Sequence, residues 1–495
     1  MSTQEIEWND KLSKIWDKSF FSLDINTHES ITEQQEFRKN MIENDSSLTE
    51  NEKKFLFDEL QSIYDASRVG DDSVEKQLCN NCQNWHQAIQ YCEFCIRKYL
   101  ENNFGNWTSG NDEIDKLIQE CQQKTTGPSN VIEWIEYDQF EDVEYMTEGG
   151  CATIYTAGWK DGFYDKWNSE KQTLERFGDQ EIVLKSLNNS KNNVRWFQEV
   201  TLSFTLDSTF EFLVSCYGIT KNPATQDYML VLDHYDNDLR HFLKDNYQSI
   251  TLLQKYNIIY DITNSLSEIH EHDITHRDLH SGNILYNSRE SVWHISDLGL
   301  SGPVDKQLDS IYGNLPYIAP ELLCKKDYIE KSDVYSLGII MWEVITGETP
   351  FSDHGFNSES EFAIAVINGY RPEIYEYIPN EYAALMKQCW DANPDNRPDA
   401  EEVNEKIDSL IQLLYLEMDK QGPTVQSNSS ESNSSQSSLT KDKSVLKIQA
   451  SKLYTFNISA QPRNATEEEQ KAYKTKQFDF EISGEIELLS IVDDN

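Results

Sequence analysis

The chain has 495 residues, room for two or three folded units at roughly 100 to 200 residues each, but only 38% of them are hydrophobic. That is below the roughly 45 to 50% of ordinary globular chains, so part of the chain is expected to stay unfolded. Asp and Glu number 86 against 43 Lys and Arg, a formal charge of −43, and such a polyanion is repelled by nucleic acid and anionic lipid, which excludes both as default partners.

The start, MSTQEIEWND, has neither a basic nor an apolar signal segment, and no apolar run reaches the ~18 residues of a membrane span. A cytoplasmic chain with reduced cysteines is therefore expected. Residues 1–75 read as a helical segment; in LTENEKKFLFDELQSIY, Thr49 and Glu52 make a capping box ahead of an apolar stripe. A four-cysteine module follows at 76–100, with Cys79 and Cys82, then Cys92 and Cys95 after nine intervening residues. Two C-x-x-C pairs let four soft thiolates converge on a structural Zn²⁺, and a tight hairpin would span a gap shorter than the roughly 15 to 20 residues of the usual pattern. A closed thiolate shell leaves no open position for catalysis, and His86 reads as a bystander. Residues 101–133 read as a turn, one helix and a Gly-Pro-Ser-Asn linker.

From 134 to 415 short alternating strands give way to apolar helical periods, so one compact unit is expected, β-rich first and α-rich second. The run QGPTVQSNSSESNSSQSSLTK at 421–441 has almost nothing to bury, and residues 421–495 are expected to form a disordered tail.

The chemistry concentrates in ITHRDLHSGNILYNSRESVWHISDLG, residues 274–299, where Asp278, Asn283 and Asp297 stand out. Transfer of a γ-phosphoryl group asks mainly for positioning and charge neutralisation. Mg²⁺ takes hard oxygen ligands, so Asp297 and Asn283 suit the metal, while Asp278, kept off it, suits acceptance of the hydroxyl proton.

HRDLHSGN from His276, DLG from Asp297 and APE from Ala319 resemble the catalytic loop, metal loop and activation-segment end of a eukaryotic protein kinase. The resemblance extends over 134–415. Lys185 in EIVLKSL matches the strand-three lysine that grips the α- and β-phosphates, and Glu199 in VRWFQEVTLSF matches the glutamate of the family's C helix that pairs with it. KSDVYSLGIIMWEVITGETPF resembles a buried helix with Asp333 near its start. CWDANPDNRP ends in Arg397, which the family pairs with the glutamate of APE, here Glu321.

What this resemblance implies is an α+β, bilobal protein-kinase fold with a β-rich N-lobe and an α-helical C-lobe, preceded by the helical segment and a zinc-ribbon-like module. It implies ATP and Mg²⁺ as cofactors, and protein substrates and regulatory proteins as partners. Around the nucleotide it places Met146, Gly149, Gly150, Ile154, Val183, Lys185, Leu232, Asp233, Tyr235 and Leu285, with Leu232 as gatekeeper and Asp233 to Tyr235 offering backbone groups to adenine.

The pattern also departs from the family. TEGGCATIY keeps only the middle glycine of the phosphate loop, Gly149, with Thr147 and Ala152 at the first and third positions. Val183 adds volume at the adenine site, and Ser203 replaces an apolar residue near Glu199. A pseudokinase acting as a scaffold through its N-terminal modules therefore stays open beside an active enzyme, which the complete set of Lys185, Glu199, Asp278, Asn283 and Asp297 favours. DGFYDKWNSEKQTLERFGDQ is longer than the family's turn between strands two and three and reads as a surface insertion.

His280 stands where serine/threonine kinases carry lysine. GNLPYIAPE resembles their peptide-binding loop, with Asn314 at its threonine, and Cys389-Trp390 points to the tyrosine-kinase-like group. Serine/threonine specificity is expected, tyrosine specificity the alternative. Arg277 suits docking of a phosphate on the activation segment, with Ser301, Ser310 and Tyr312 as candidates. As a whole, the helical lead, the four-cysteine module and the catalytic domain are similar to a family of fungal kinases.

Overall fold

The computed structural model describes residues 6–475 apart from 7, 24–26, 29, 149–151, 188–199, 202–203, 205–212, 288–291, 299–301, 304–310, 353–355, 357, 422–450, 455, 457 and 459. The chain divides into two compact units, residues 1–241 with 282–301, and 242–281 with 302–495.

The first unit opens with three helices, α1 (Asp10–Phe21), α2 (Ile31–Asn44) and α3 (Glu50–Arg68). Capping boxes from Ser30 with Glu33 and from Thr49 with Glu52 start α2 and α3, satisfying amides that a helix start leaves without partners. Leu12, Ile42, Leu56 and Leu60 are buried where the three apolar faces meet. At the end of α3, Arg68 donates to the carbonyls of Gln87 (2.7 Å) and Glu75 (2.6 Å), and Asp65 accepts from the amides of Ile89 and Gln90. The bundle is thus bonded to the cysteine module.

In that module a short hairpin, β1 (Gln77–Leu78) and β2 (Trp85–His86), flanks the first cysteine pair. The second pair opens helix α4 (Glu93–Asn103), with Cys92 as its N-cap. The expected ribbon, two knuckles spanned by one hairpin, is therefore corrected to a hairpin followed by a helix. Once four residues of the second pair can turn as a helix, the nine-residue gap needs no second hairpin.

A six-stranded sheet follows, in the order β3 (Glu133–Trp134), β9 (Cys216–Lys221), β10 (Tyr228–Asp233), β8 (Gln180–Leu187), β5 (Ala152–Trp159), β4 (Phe140–Glu148). All neighbours pair antiparallel except β3 with β9. Gly218, at φ 150°, permits that parallel approach, since a Cβ there would collide with the Glu133 carbonyl. Trp159, Ile182, Leu184 and Val231 are buried on one face. On the other, Ile219 and Leu230 pack with Val200 and Phe204, and with Ile114 and Ile118 of helix α5 (Asp112–Lys124). The helix expected within 101–133 is therefore part of the sheet's core, not a spacer.

The sequence insertion forms a second hairpin, β6 (Tyr164–Asn168) and β7 (Thr173–Arg176). It is no bare surface loop: Leu174 is buried with Ile96 and Leu100 of α4 and with Val131, and Arg176 makes a bidentate pair with Glu133 at 2.9 and 2.7 Å. A three-stranded sheet of β11 (Asn237–Asp238), β13 (Ile284–Asn287) and β14 (Val292–Ile295) completes this unit.

The second unit is helical. α6 (Leu252–Glu271) packs with α10 (Ala400–Gln421), and α7 (Glu330–Thr346) with α9 (Asn380–Cys389). α7 is buried from Ser332 through Thr346, as expected of a helix that is apolar on every side. Gly338 lets α9 come close: a Cβ there would stand 2.9 Å from the Cys389 Cβ. Two short pairings join β12 (Ile274–Thr275) to β15 (Gly302–Pro303), and β16 (Ile311–Gly313) to β17 (Lys452–Tyr454). α8 (Glu359–Ile367) and a last helix, α11 (Glu467–Thr475), complete it.

β17 and α11 lie in the stretch expected to be disordered, so that expectation is corrected for 451–475. Tyr454 and Phe456 are buried and stack at 5.4 Å, and Tyr473 packs on Tyr370 at 5.0 Å. One short alternation, Tyr454 with Phe456, in an otherwise polar stretch is too little to register as periodicity. The polar run 422–441 lies outside the described residues.

Candidate active site

The β13–β14 ladder pairs Ile284 with Ile295, so Asn283 and Asp297 emerge at the same end of one hairpin. The Asn283 carbonyl accepts from the Ser296 amide (2.8 Å) and hydroxyl (3.0 Å), fixing that end. Asp297 adopts φ 63°, a left-handed conformation that costs a non-glycine residue of order 1–3 kcal/mol and tends to persist at functional sites. Lys185 Nζ donates to Asp297 Oδ1 at 2.8 Å. Lys185 is buried, whereas the Asp297 side chain is 49% exposed. A buried cation thus points at a carboxylate open to solvent, at the hairpin end that also bears Asn283; carboxylate and amide oxygens are donors of the hard kind that Mg²⁺ takes.

The neighbouring strands set the rest of this face. Across the sheet Ile154, Lys185 and Leu230 form one row, and Thr156, Val183 and Leu232 the row two residues on. Side chains two apart share a face, so Ile154, Val183, Lys185 and Leu232 share one, while Ile182 and Leu184 turn into the opposite core. Asp233 is buried, its amide donating to the Ser215 carbonyl (2.9 Å) and its carboxylate accepting from Asn287 (3.3 Å). Tyr235 is also buried, its hydroxyl accepting from the Ser215 amide at 3.3 Å. Leu285 lies on β13 between Asp238 and His294. Met146 falls in a β4 bulge and is 59% exposed, and Thr147 pairs with Ile154. Gly149, Gly150 and Glu199 lie outside the described residues, as do Cys151, Ser203, Ser301 and Ser310.

In the second unit, the loop bearing Asp278 is held from beneath by Asp333. This carboxylate, wholly buried, accepts from the amides of His276 (2.8 Å) and Arg277 (3.0 Å), the Tyr328 hydroxyl (2.8 Å) and His270 Nε2 (3.1 Å). Burial alone would raise its pKa, but the hydrogen bonds and charge of His270 and the His276 amide hold it below its usual range. Arg277 is the loop's left-handed residue, φ 72°, and its Nε donates to the Thr275 hydroxyl at 2.9 Å. Glu321 and Arg397 form a buried bidentate pair at 2.8 and 2.7 Å.

Asp278 itself is buried. Its Oδ1 lies 3.8 Å from His280 Nε2 and accepts a hydrogen bond from the Ser451 hydroxyl at 2.7 Å. Ser451 Oγ also lies 3.1 Å from His280 Nε2. Sequence reasoning missed Ser451; the only signal was the alternation of Tyr454 and Phe456 just after it.

The cysteine pairs converge. Cys79 and Cys95 sulfurs are 3.6 Å apart, Cys82 and Cys92 likewise, and all four lie within 4.8 Å of one another. Four Zn–S bonds of roughly 2.3 Å in a tetrahedron give edges of about 3.8 Å, so the donor set fits Zn²⁺. Burial works against ionisation, but the amides of Cys82 and Asn81 bring the Cys79 thiol down to about 7; burial pushes Cys92 up and Cys95 up to about 11. His86 lies alongside, its Nδ1 3.0 Å from the Ala88 carbonyl.

The sequence model of the family described as protein tyrosine and serine/threonine kinase matches residues 142–407. The chain belongs to this family, and the matched residues form a protein kinase domain with a β-sheet N-lobe and a helical C-lobe. It is similar to a probable LIM domain-containing serine/threonine-protein kinase of Dictyostelium discoideum, 29% identical over 338 residues, 66% of this chain and 50% of that protein. A second protein of that description from the same organism is 30% identical over 227 residues, 45% of this chain and 23% of that protein. The probable serine/threonine-protein kinase pats1, also of Dictyostelium discoideum, is 28% identical over 290 residues, 57% of this chain and 9% of that protein. The chain therefore spans half or less of the length of these curated relatives. Among the described residues no helix is long and apolar enough to cross a membrane.

Proposed function

We propose that this chain is an ATP-dependent protein kinase that transfers the γ-phosphoryl group to serine or threonine hydroxyls of protein substrates. The observation that carries the reading is the 2.8 Å contact of buried Lys185 with Asp297, on a hairpin whose same end bears Asn283. Mg²⁺ would be held by Asn283 and Asp297 and would neutralise phosphate charge. Lys185 would meet the phosphates, Ile154, Val183, Leu232 and Leu285 would line the adenine, and Asp278 would accept the hydroxyl proton.

Serine/threonine specificity is supported by the names of the relatives, and by the GNLPYIAPE stretch. Placement in the tyrosine-kinase-like group rests on Cys389-Trp390; the relatives named above are amoebal, so the fungal resemblance stands on sequence arrangement alone. Four unpaired cysteines at one site support a structural Zn²⁺ and a reducing, cytoplasmic setting. One relative's name records a LIM domain together with a serine/threonine-protein kinase, and LIM domains are a class of four-ligand structural zinc site.

The test is purified protein with labelled ATP, Mg²⁺ and peptides offering serine, threonine or tyrosine. Label on serine or threonine, absent from Asp278→Asn, supports the reading. Label on tyrosine alone overturns the specificity, and turnover no greater than that of Asp278→Asn overturns the activity.

A further inference from the structure

Residues 451–475 return to the second unit and dock there. β17 pairs antiparallel with β16 in the register Gly313 with Lys452, Tyr312 with Leu453 and Ile311 with Tyr454. β16 belongs to the segment between DLG and APE, which in the kinase reading receives the acceptor peptide. One step along that ladder stands Ser451, whose hydroxyl donates to Asp278 Oδ1 at 2.7 Å. Gly313 lies beside Asp278 and has φ 142°, a backbone conformation that favours glycine.

The geometry points to Ser451 as a phosphorylation site of this chain, modified by its own active site, with residues 451–454 lying as a built-in substrate strand. This rests on the protein-kinase reading above. In the step, Ser451 Oγ forms a bond to the γ-phosphorus of ATP, the bond from that phosphorus to the β-phosphate bridging oxygen breaks, ADP leaves with the electron pair, and the hydroxyl proton passes to the Asp278 carboxylate. His280, at the position where serine/threonine kinases carry lysine, stands 3.1 Å from Ser451 Oγ, and is a positioning residue for the acceptor.

The anchor is independent of that chemistry. Asn464 accepts from the Ala392 amide and donates to Asp391, both at 2.9 Å, and the Arg463 amide donates to the Ile367 carbonyl at 3.0 Å. Gly369, at φ 95°, gives the tail room, since a Cβ would collide with the Ala465 amide. Docking holds the hydroxyl at the carboxylate, so transfer is intramolecular and independent of chain concentration.

The experiment maps phosphate by mass spectrometry on the full chain incubated with ATP and Mg²⁺ over a dilution series, with a serine peptide as added acceptor. Phosphate on Ser451 at a rate per chain unchanged by dilution is expected, lost in Ser451→Ala and restored in Ser451→Thr. Asn464→Ala with Tyr473→Ala, which loosens the anchor, is expected to slow modification of Ser451 on the order of 10-fold or more through the lost effective concentration, while the added peptide is phosphorylated at least as fast. Ser451 left unmodified while the peptide is phosphorylated overturns the proposal and leaves the kinase reading standing. A rate per chain that falls with dilution also overturns it. Transfer to neither acceptor sinks both.

Discussion

Asp278, in the loop, and Asp333, near the start of α7 beneath it, are both buried carboxylates with different work. Asp278→Asn keeps the shape but loses the base, so nucleotide binding is expected to persist while transfer slows by roughly 10² or more, measured as turnover beside ATP titration. Asp333 holds the backbone. Its folded pKa lies below the ordinary 3.8, so the stability it contributes is fully present above that value and is lost as pH falls through the lower, folded one. Asp333→Asn is therefore expected to melt well below the parent at neutral pH, with the gap narrowing under acid conditions; a gap constant from pH 7 to pH 3 would contradict the assignment. The Glu321–Arg397 pair has side chains 1% and 0% exposed, and Arg397→Met, which strands a buried carboxylate, is expected to cost about 3–5 kcal/mol in denaturant titration. The Glu321–Arg397 pairing was legible from its motifs, whereas for Asp333 the sequence showed only its place near the start of a buried helix and none of its partners.

At the scale of elements, the burial of α5 against the sheet is the unexpected part. Ile118 is fully buried against the sheet and packs in one cluster with Val200 and Phe204, which follow Glu199 closely in sequence. Ile118→Ala is expected to cost about 2–4 kcal/mol and to be seen as a lower melting temperature. The cysteine module has a similar reach, since α4 carries the second cysteine pair and also buries Leu174 of the β6–β7 hairpin. Metal removal by a chelator, because zinc binding is folding energy in so small a module, is expected to lower the melting temperature of the catalytic domain as well; a module that unfolds alone, without moving that transition, would show the packing to be incidental. The sequence marked the cysteines, whose spacing is a local property. It could not mark Leu174, whose partner lies in another element.

For the whole molecule, the boundary at 134 drawn from sequence leaves out Ile114, Ile118 and Ile132, all buried in the sheet's core. A fragment beginning at 134 is accordingly expected to be less stable than one beginning at 104, by thermal melting of the two. Sequence alone determined the kinase class and the converging cysteines, because phosphoryl transfer and metal binding demand particular side chains at short, ordered spacings. It also placed the start of α3, where capping is decided within four residues. Only the tertiary structure decided that α5 packs into the sheet's core, that the insertion buries Leu174 against α4, and that the tail brings Ser451 onto Asp278, 173 positions away in the chain. Those contacts join residues whose local sequence is unremarkable, and burial between distant segments leaves no period to read.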